Sequence, residues 1–316
     1  MSNFRISFET GEQVIFSAKR ADRPKDFLDK NTTDYVEYKK ECPFCVGNEE
    51  STPPTIYKIG DPWIMRVVEN KYPAVTMQNE QDVKGIHYVV VESNKHNCSI
   101  HNFNLEDLER LIKLYIRVSA DIYKNPDIQY VQIFKNYKRE AGASLEHPHS
   151  QIIGVSFIPN NILKELDVSR DYYYGKESCI YCDEIEKEVN LNKRIVIENE
   201  YFVVLCPYAS LYQYQTQILP KRHVSSLFSL TEDEIRGLAY TIKDLFERYN
   251  RNLGDIAYNM YFHCINREVK EYHLHIDICP RTNIHAGFEI STGAIINSVY
   301  PEDAAEVLRD KEVNKG

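Results

Sequence analysis

The chain has no apolar run approaching the length needed to cross a bilayer, and its opening residues, MSNFRISFET, lack the apolar centre of a secretory signal. The expected compartment is the cytoplasm, with no membrane partner. Positive charge is not in excess: 38 Lys and Arg stand against 47 Asp and Glu, a net charge of −9. That balance argues against nucleic acid as a main partner, because a phosphate backbone needs a basic face. An anionic small molecule would have to be met by local clusters. Three exist: Lys19, Arg20, Arg23 and Lys25; Lys135, Lys138 and Arg139; Lys221 and Arg222. The plain alternative for each is a solvated surface run. Low-complexity segments and long linkers are also missing, and the single tryptophan, Trp63, selects no function.

What is present is a globular composition, 43% hydrophobic and 27% charged, which supports a sizeable core. The length, 316 residues, favours two lobes. Eight cysteines in a reducing compartment read as metal ligands or buried thiols rather than disulfides. Four of them form two C-x-x-C pairs, Cys42/Cys45 and Cys179/Cys182. Each pair is followed by a single histidine and then by an H-x-H. The first run is spaced 51 residues from Cys45 to His96 and 51 from His96 to His147; the second is spaced 41 from Cys182 to His223 and 50 from His223 to His273. The H-x-H pairs, His147/His149 and His273/His275, are offset by 126 residues.

The segments between repeat as well. Buried strands are expected at Tyr88–Ser93 and Gln215–Lys221, each leading to its single histidine. Asn104 and Thr231 then stand as N-cap candidates, Thr231 with Glu234 completing a capping box. Amphipathic helices follow, one with Leu105, Leu108, Leu111, Ile112, Tyr115 and Ile116 on its apolar face, the other with Ile235, Leu238, Ile242, Leu245 and Phe246. Strands are expected next at Tyr130–Asn136 and Ala257–Ile265, and the H-x-H strands, His147–Pro159 and His273–Pro280, close each copy. The fold class is α+β: a duplicated unit, each half an antiparallel-rich sheet with a long helix on one face. The lobes are residues 1–160 and 161–316, with the boundary near Pro159–Lys176.

Two thiolates and two imidazoles make a tetrahedral zinc set. Cys42, Cys45, His96 and His147 form one; Cys179, Cys182, His223 and His273 form the other. The alternative is that these cysteines pack as small hydrophobes. A thioredoxin-like redox reading lacks its β-α-β context. Cys98, Cys206, Cys264 and Cys279 read as core thiols, though Cys98 is near enough to His96 to be a ligand; His87, His101 and His285 have no partner pattern. In His147-Pro148-His149, histidines at i and i+2 of a strand share a side. One can be fixed by metal while the other attacks. The neighbouring Gly142-Ala143-Ser144 turn offers N–H groups and a hydroxyl to an anion. Together they point to nucleophilic histidine chemistry on a phosphoryl group. The tautomer of the attacking ring needs an acceptor, which a carbonyl near Gly142–Ser144 would supply.

These residues resemble the galactose-1-phosphate uridylyltransferase family of the histidine-triad superfamily, over most of the chain. The matching stretches are Cys42-Pro-Phe-Cys-Val-Gly-Asn-Glu49, Thr52-Pro-Pro54, Asn70-Lys-Tyr-Pro-Ala74, Phe134-Lys-Asn136 and Ala141-Gly-Ala-Ser-Leu-Glu-His-Pro-His-Ser-Gln151, with Arg20-Ala-Asp-Arg-Pro24 near the start. In the second half, Cys179–Cys182 and His273-Leu-His-Ile-Asp277 resemble members with two zinc sites, the ADP-sugar phosphorylases among them. The resemblance implies that His149 attacks the α-phosphorus of a nucleoside diphosphate sugar. Sugar 1-phosphate leaves, and a second phosphate-bearing acceptor takes the nucleotidyl group in a ping-pong scheme. It implies that Gln151 and Ser144 hold the α-phosphate, with Asn136 and Gly142 beside it. Arg20 and Arg23 would meet phosphates, and Asn70 the nucleoside. The metals would be structural Zn2+.

Two departures matter. Some members carry cysteine where this chain has Ala143, and a second-half metal set of one glutamate and three histidines, for which Glu165, His263, His273 and His275 are available. That set competes with Cys179/Cys182 for His273. The second half also replaces the Gly-Ala-Ser turn with the bulky, charged Arg267–Tyr272, so one catalytic H-x-H is expected, with the second half shaping an acceptor pocket or an interface. The leading reading is nucleotidyl transfer from a UDP-glucose or UDP-galactose type donor to a sugar 1-phosphate. Its rivals are an ADP-sugar or dinucleoside polyphosphate phosphorylase using inorganic phosphate, a histidine-triad hydrolase, disfavoured by Ser150-Gln151, and a zinc-stabilised nucleotide-binding protein without catalysis. Members are often homodimers; no stretch of this chain by itself marks an interface.

Overall fold

The structure, a computed structural model, describes residues 3–18, 36–78 and 83–309. Its centre is a ten-stranded sheet to which each half contributes five strands. The first half supplies β3 (Thr55–Ile59), β4 (Met65–Glu69), β5 (Gly85–Val91), β6 (Tyr130–Tyr137) and β7 (His149–Val155). The second supplies β8 (Ile195–Glu198), β9 (Phe202–Leu205), β10 (Thr216–Pro220), β11 (Tyr258–His263) and β12 (His275–Pro280). Strand order is β3-β4-β5-β7-β6-β11-β12-β10-β9-β8. Read outward from the seam, both halves have the same order, and they join where the equivalent strands β6 and β11 pair antiparallel, Tyr261 opposite Phe134. A smaller sheet joins the hairpin of β1 (Asn3–Ile6) and β2 (Gln13–Phe16) to β13 (Ile295–Asn297), which runs parallel to β2.

One face of the large sheet is covered by α1 (Leu105–Ile122) and α4 (Glu232–Leu253), which occupy equivalent places in the two halves and pack against each other. Local chemistry starts both helices. The Asn104 side chain accepts from Asp107 N, and Thr231 and Glu234 close a full capping box. Leu108, Leu111, Ile112, Tyr115, Val118 and Ile122 bury one stripe of α1; Ile235, Leu238, Ile242, Leu245 and Phe246 bury the corresponding stripe of α4. Leu105, expected on the apolar face, is the first residue of α1 and is exposed. Gly154 lets β7 lie close to α1: a Cβ there would stand 2.5 Å from Ile122 Cγ2.

The remaining helices are α2 (Asn160–Lys176), α3 (Ile180–Leu191), α5 (Gly287–Thr292) and α6 (Pro301–Arg309). The segment expected to separate two lobes is thus the helix α2, and the sheet runs on without a break. Both H-x-H strands start later than their sequence suggests, at His149 and His275. Pro148 has no N–H to give a ladder, and its carbonyl accepts from Glu92 N at 3.1 Å.

Behind β7, on the helix side, lies a buried polar group. Lys135 Nζ stands 2.5 Å from Glu92 Oε2 and donates to the His149 carbonyl at 3.2 Å; the Tyr115 hydroxyl lies 3.0 Å from Glu92 Oε1 and 2.8 Å from Ser150 Oγ. The ammonium and the carboxylate are both sealed from water. Removing either partner alone strands a buried charge, so Lys135→Met or Glu92→Gln is expected to lower unfolding stability by about 3–5 kcal/mol. The double variant Lys135→Met/Glu92→Leu should recover most of that loss. Urea denaturation of the three variants tests this; a mild, additive effect of the single changes would show that the pair is not desolvated.

Candidate active site

His149 opens β7 on the face away from the helices and is buried. Its Nδ1–H donates to the His147 carbonyl at 2.8 Å, which leaves the Nε2 lone pair free to attack. The acceptor that sets the tautomer is therefore the preceding histidine's carbonyl, two residues away, and not a carbonyl of the Gly142–Ser144 turn. Burial pushes the His149 pKa down, the His147 carbonyl opposes this, and the Lys135 cation adds to the lowering. The ring is neutral at neutral pH.

His147 is held on both sides. Its Nε2–H donates to the Ser93 carbonyl at 2.8 Å, and its Nδ1 faces Cys45 Sγ at 3.7 Å. His96 Nδ1 is 3.5 Å from the same sulfur. The ligating atoms of Cys42, Cys45, His96 and His147 all lie within 4.8 Å of one another, and all four residues are buried. Cys179, Cys182, His223 and His273 form a second group of the same compactness. Here His223 Nε2–H donates to Val269 O at 2.9 Å and His273 Nε2–H to Pro220 O at 2.9 Å, while their Nδ1 atoms face Cys182 Sγ at 3.4 and 3.6 Å. Cys179 stands at the N-cap of α3. The Cys182 thiol and the His223 and His273 rings hold it well below the usual thiol range.

Gln151, two residues along β7 from His149, lies on the same face of the sheet. Its Oε1 is 2.7 Å from His87 Nε2 and 3.5 Å from Asn70 Nδ2. Asn70 therefore meets Gln151 and His87 directly. Asn136, on β6, accepts from Asn259 Nδ2 at 2.8 Å, and Asn259 also donates to the Ala141 carbonyl at 2.8 Å, so the second half braces the turn beside the histidine pair. That turn is a 3-10 turn, Arg139–Ala141, ended by Gly142 at φ 88°. The N–H groups of Gly142 and Ala143 close the turn onto Arg139 O and Lys138 O, so they do not face an anion. Ser144 remains as the member of this turn with a hydroxyl to offer. Arg20 and Arg23, with Lys19 and Lys25, lie outside the described residues.

The second half repeats the backbone arrangement with different chemistry. His275 Nδ1–H donates to His273 O at 3.0 Å, as His149 does to His147. At the position of Gln151 stands Asp277, and Asp277 Oδ2 lies 3.8 Å from His275 Nε2. Glu165 of α2 pairs with His263 at 2.9 Å and accepts from Tyr272 OH at 3.0 Å. Burial would discharge His263, but Glu165 and then Asp277 and Glu9 outweigh it and raise its pKa to about 9. A cavity of about 520 Å³ opens here, lined by Glu9, Glu12, Glu165 and Asp277 together with Asn136 and Asn259. Burial pushes the Glu9 and Glu12 carboxyls up, towards their neutral forms. The alternative metal set is divided: both nitrogens of His273 are engaged at the cysteine group and Pro220 O, and Glu165, His263 and His275 form a separate group.

Of the basic clusters, Lys135 is no surface residue. Lys138 pairs with Asp255 at 2.8 Å, Lys221 with Glu198 at 2.7 Å and Arg222 with Glu234 at 2.7 Å. Cys206, Cys264 and Cys279 are buried; Cys98 packs against the main core. The residues that spacing did not reveal are His87, Glu92 and Lys135. His87 sits at a β5 position opposite Ile153, diagonal to Gln151, and only strand register could have found it.

The chain is similar to known proteins over nearly its whole length. The family profile for the N-terminal domain of galactose-1-phosphate uridyl transferase matches residues 1–159, and one described as a domain of unknown function (DUF4921) matches residues 82–315. An ADP-glucose phosphorylase of Arabidopsis thaliana is 31% identical, covering 95% of this chain and 90% of that protein. A galactose-1-phosphate uridylyltransferase of Thermotoga maritima is 30% identical over 99% of both. The crystal structure of an Arabidopsis thaliana ADP-glucose phosphorylase with bound ADP-glucose superposes with a TM-score of 0.87 at 29% identity, over 99% of this chain and 100% of that one. Among the described residues no helix is long and apolar enough to cross a membrane. The chain belongs to the galactose-1-phosphate uridylyltransferase family, which includes ADP-sugar phosphorylase-like members, and is an enzyme of the nucleotidyltransferase type.

Proposed function

We propose that the chain moves a nucleoside monophosphate from a nucleoside diphosphate sugar to a hexose 1-phosphate through a covalent adduct on His149. The observation that carries this is the His149 Nδ1–H bond to its neighbour's carbonyl, which presents Nε2 as a lone pair on a neutral ring. In the first step the bond from Nε2 to the α-phosphorus forms and the bond from that phosphorus to the bridging oxygen breaks, releasing sugar 1-phosphate. The ring becomes cationic, and the His147 carbonyl faces the N–H whose charge has risen. In the second step a phosphate oxygen of the acceptor attacks the same phosphorus, the P–N bond breaks, and the neutral ring returns. Gln151 and Ser144 are neutral donors. They would steady the phosphoryl oxygens without giving His149 a proton. Asn136 and Gly142 would border the same phosphate, and Asn70 acts from behind Gln151.

The two Cys–Cys–His–His groups fit Zn2+: each offers two sulfurs and two Nδ1 atoms, and three of the four rings donate Nε2–H to a backbone carbonyl, as metal-bound imidazoles do. Four protein donors saturate a tetrahedral ion, so bound zinc would supply cross-linking and charge neutralisation. His147 would be pinned and His149 thereby aimed.

A second reading, with inorganic phosphate as acceptor and an ADP-sugar as donor, is favoured by the TM-score of 0.87 to the ADP-glucose phosphorylase structure, against 0.76 for a uridylyltransferase. Native mass spectrometry after separate mixing with UDP-glucose and ADP-glucose tests both. A UMP adduct that galactose 1-phosphate discharges supports the first reading; an AMP adduct that phosphate discharges supports the second. Either adduct should be absent from His149→Ala, and Gln151→Ala should slow its formation by about 10²–10³-fold. No adduct from a folded, zinc-loaded protein with either donor would sink the proposal. Plasma emission analysis should find two zinc ions per chain, one in Cys45→Ser and one in Cys182→Ser, with His149→Ala unchanged. Zinc-free wild-type protein, purified without chelator, would overturn the metal assignment.

A further inference from the structure

We propose that His87 is a positioning residue that sets the direction of the Gln151 amide, so that its NH2 faces the reacting phosphate. This rests on the reading above, in which Gln151 meets that phosphate. A backbone N–H can only donate. The Ala74 backbone N–H donates to His87 Nδ1 at 3.1 Å, so Nδ1 carries the lone pair and the neutral ring carries its proton on Nε2. The other tautomer, or a doubly protonated ring, would turn Nδ1–H against the Ala74 N–H. Burial lowers the His87 pKa and works the same way.

Nε2–H then points at Gln151 Oε1, 2.7 Å away. Asn70 adds a second donor. Its Oδ1 accepts from Tyr72 N at 2.9 Å, which turns its Nδ2 towards Gln151 Oε1 at 3.5 Å and beside His87 Nε2 at 3.1 Å. Two donors therefore converge on one oxygen. If the Gln151 amide flipped, three donors would meet with no acceptor between them. The remaining NH2 of Gln151 must face away from His87. The chain of polarity runs from the Asn70–Ala74 turn through His87 to Gln151, and the turn's backbone fixes the first link.

Two measurements on the full-length zinc-loaded enzyme test this. Side-chain 15N NMR of histidine, without substrate, should show His87 as the neutral Nε2–H tautomer at neutral pH. An Nδ1–H tautomer or a cationic ring would overturn the proposal whatever the enzyme catalyses. Single-turnover adduct formation should fall about 10–100-fold in His87→Phe, with donor KM within about twofold. His87→Gln, which keeps a donor at the Nε2 position, should recover most of the rate. In a Gln151→Ala background His87→Phe should cost nothing more. An equal loss in that background means His87 acts independently of Gln151 and overturns the proposal. Failure of the wild-type enzyme to form any adduct would instead strike the functional reading, and the tautomer would still decide the lock.

Discussion

The grip on His147 is the constraint from which the site follows. Its Nε2–H is given to Ser93 O, just beyond β5, and its Nδ1 lies among the Cys42, Cys45 and His96 ligating atoms. The ring is held between Ser93 O and a sulfur–imidazole cluster, and the His147 carbonyl accepts from His149 Nδ1. That carbonyl fixes the protonation pattern of the next ring but one. The Lys135 and Glu92 charges behind β7 hold the same stretch from the helix side, through the His149 carbonyl and Ser150. The His149 ring is thereby held with its Nδ1–H committed and its Nε2 carrying the lone pair.

The duplication shows what is scaffold and what is chemistry. Strand order, the helix on the sheet, the Nε2–H gift to a carbonyl and the Nδ1–H bond within each H-x-H recur in both halves. Along the row that crosses the seam, Gln151, Phe134, Tyr261 and Asp277 stand opposite one another in register. A neutral amide in one half is answered by a carboxylate in the other. With Glu165 and Glu9 added, the second half sets carboxyl groups around its H-x-H, with the His263 ring among them. One scaffold therefore carries two polar groupings of different composition, joined through the Asn136–Asn259 contact.

Much of this was legible because the repeat is strong. The helix starts at Asn104 and Thr231, the apolar stripes at three- and four-residue spacing and the grouping of each C-x-x-C with two histidines all follow from local periodicity and ligand chemistry. Strand starts were misplaced at His147 and His273, since alternation along a strand does not tell where the ladder begins. Lys135 looked like one of three surface cations, yet it is buried, because only strand pairing brings Glu92 to it. The Gly142 and Ala143 amides looked free for an anion, yet backbone turn geometry commits them.

The amino-acid sequence by itself determined the duplicated α+β plan, the two Cys–Cys–His–His groups and the H-x-H that follows each. These depend on residue type and on short, regular spacing, which a linear chain carries openly. Tertiary structure alone decided which carbonyl orients His149, which residues flank Gln151 and why the second H-x-H lies in an acidic chamber. Those depend on register between strands far apart in the chain, where a shift of one residue turns every side chain to the other face.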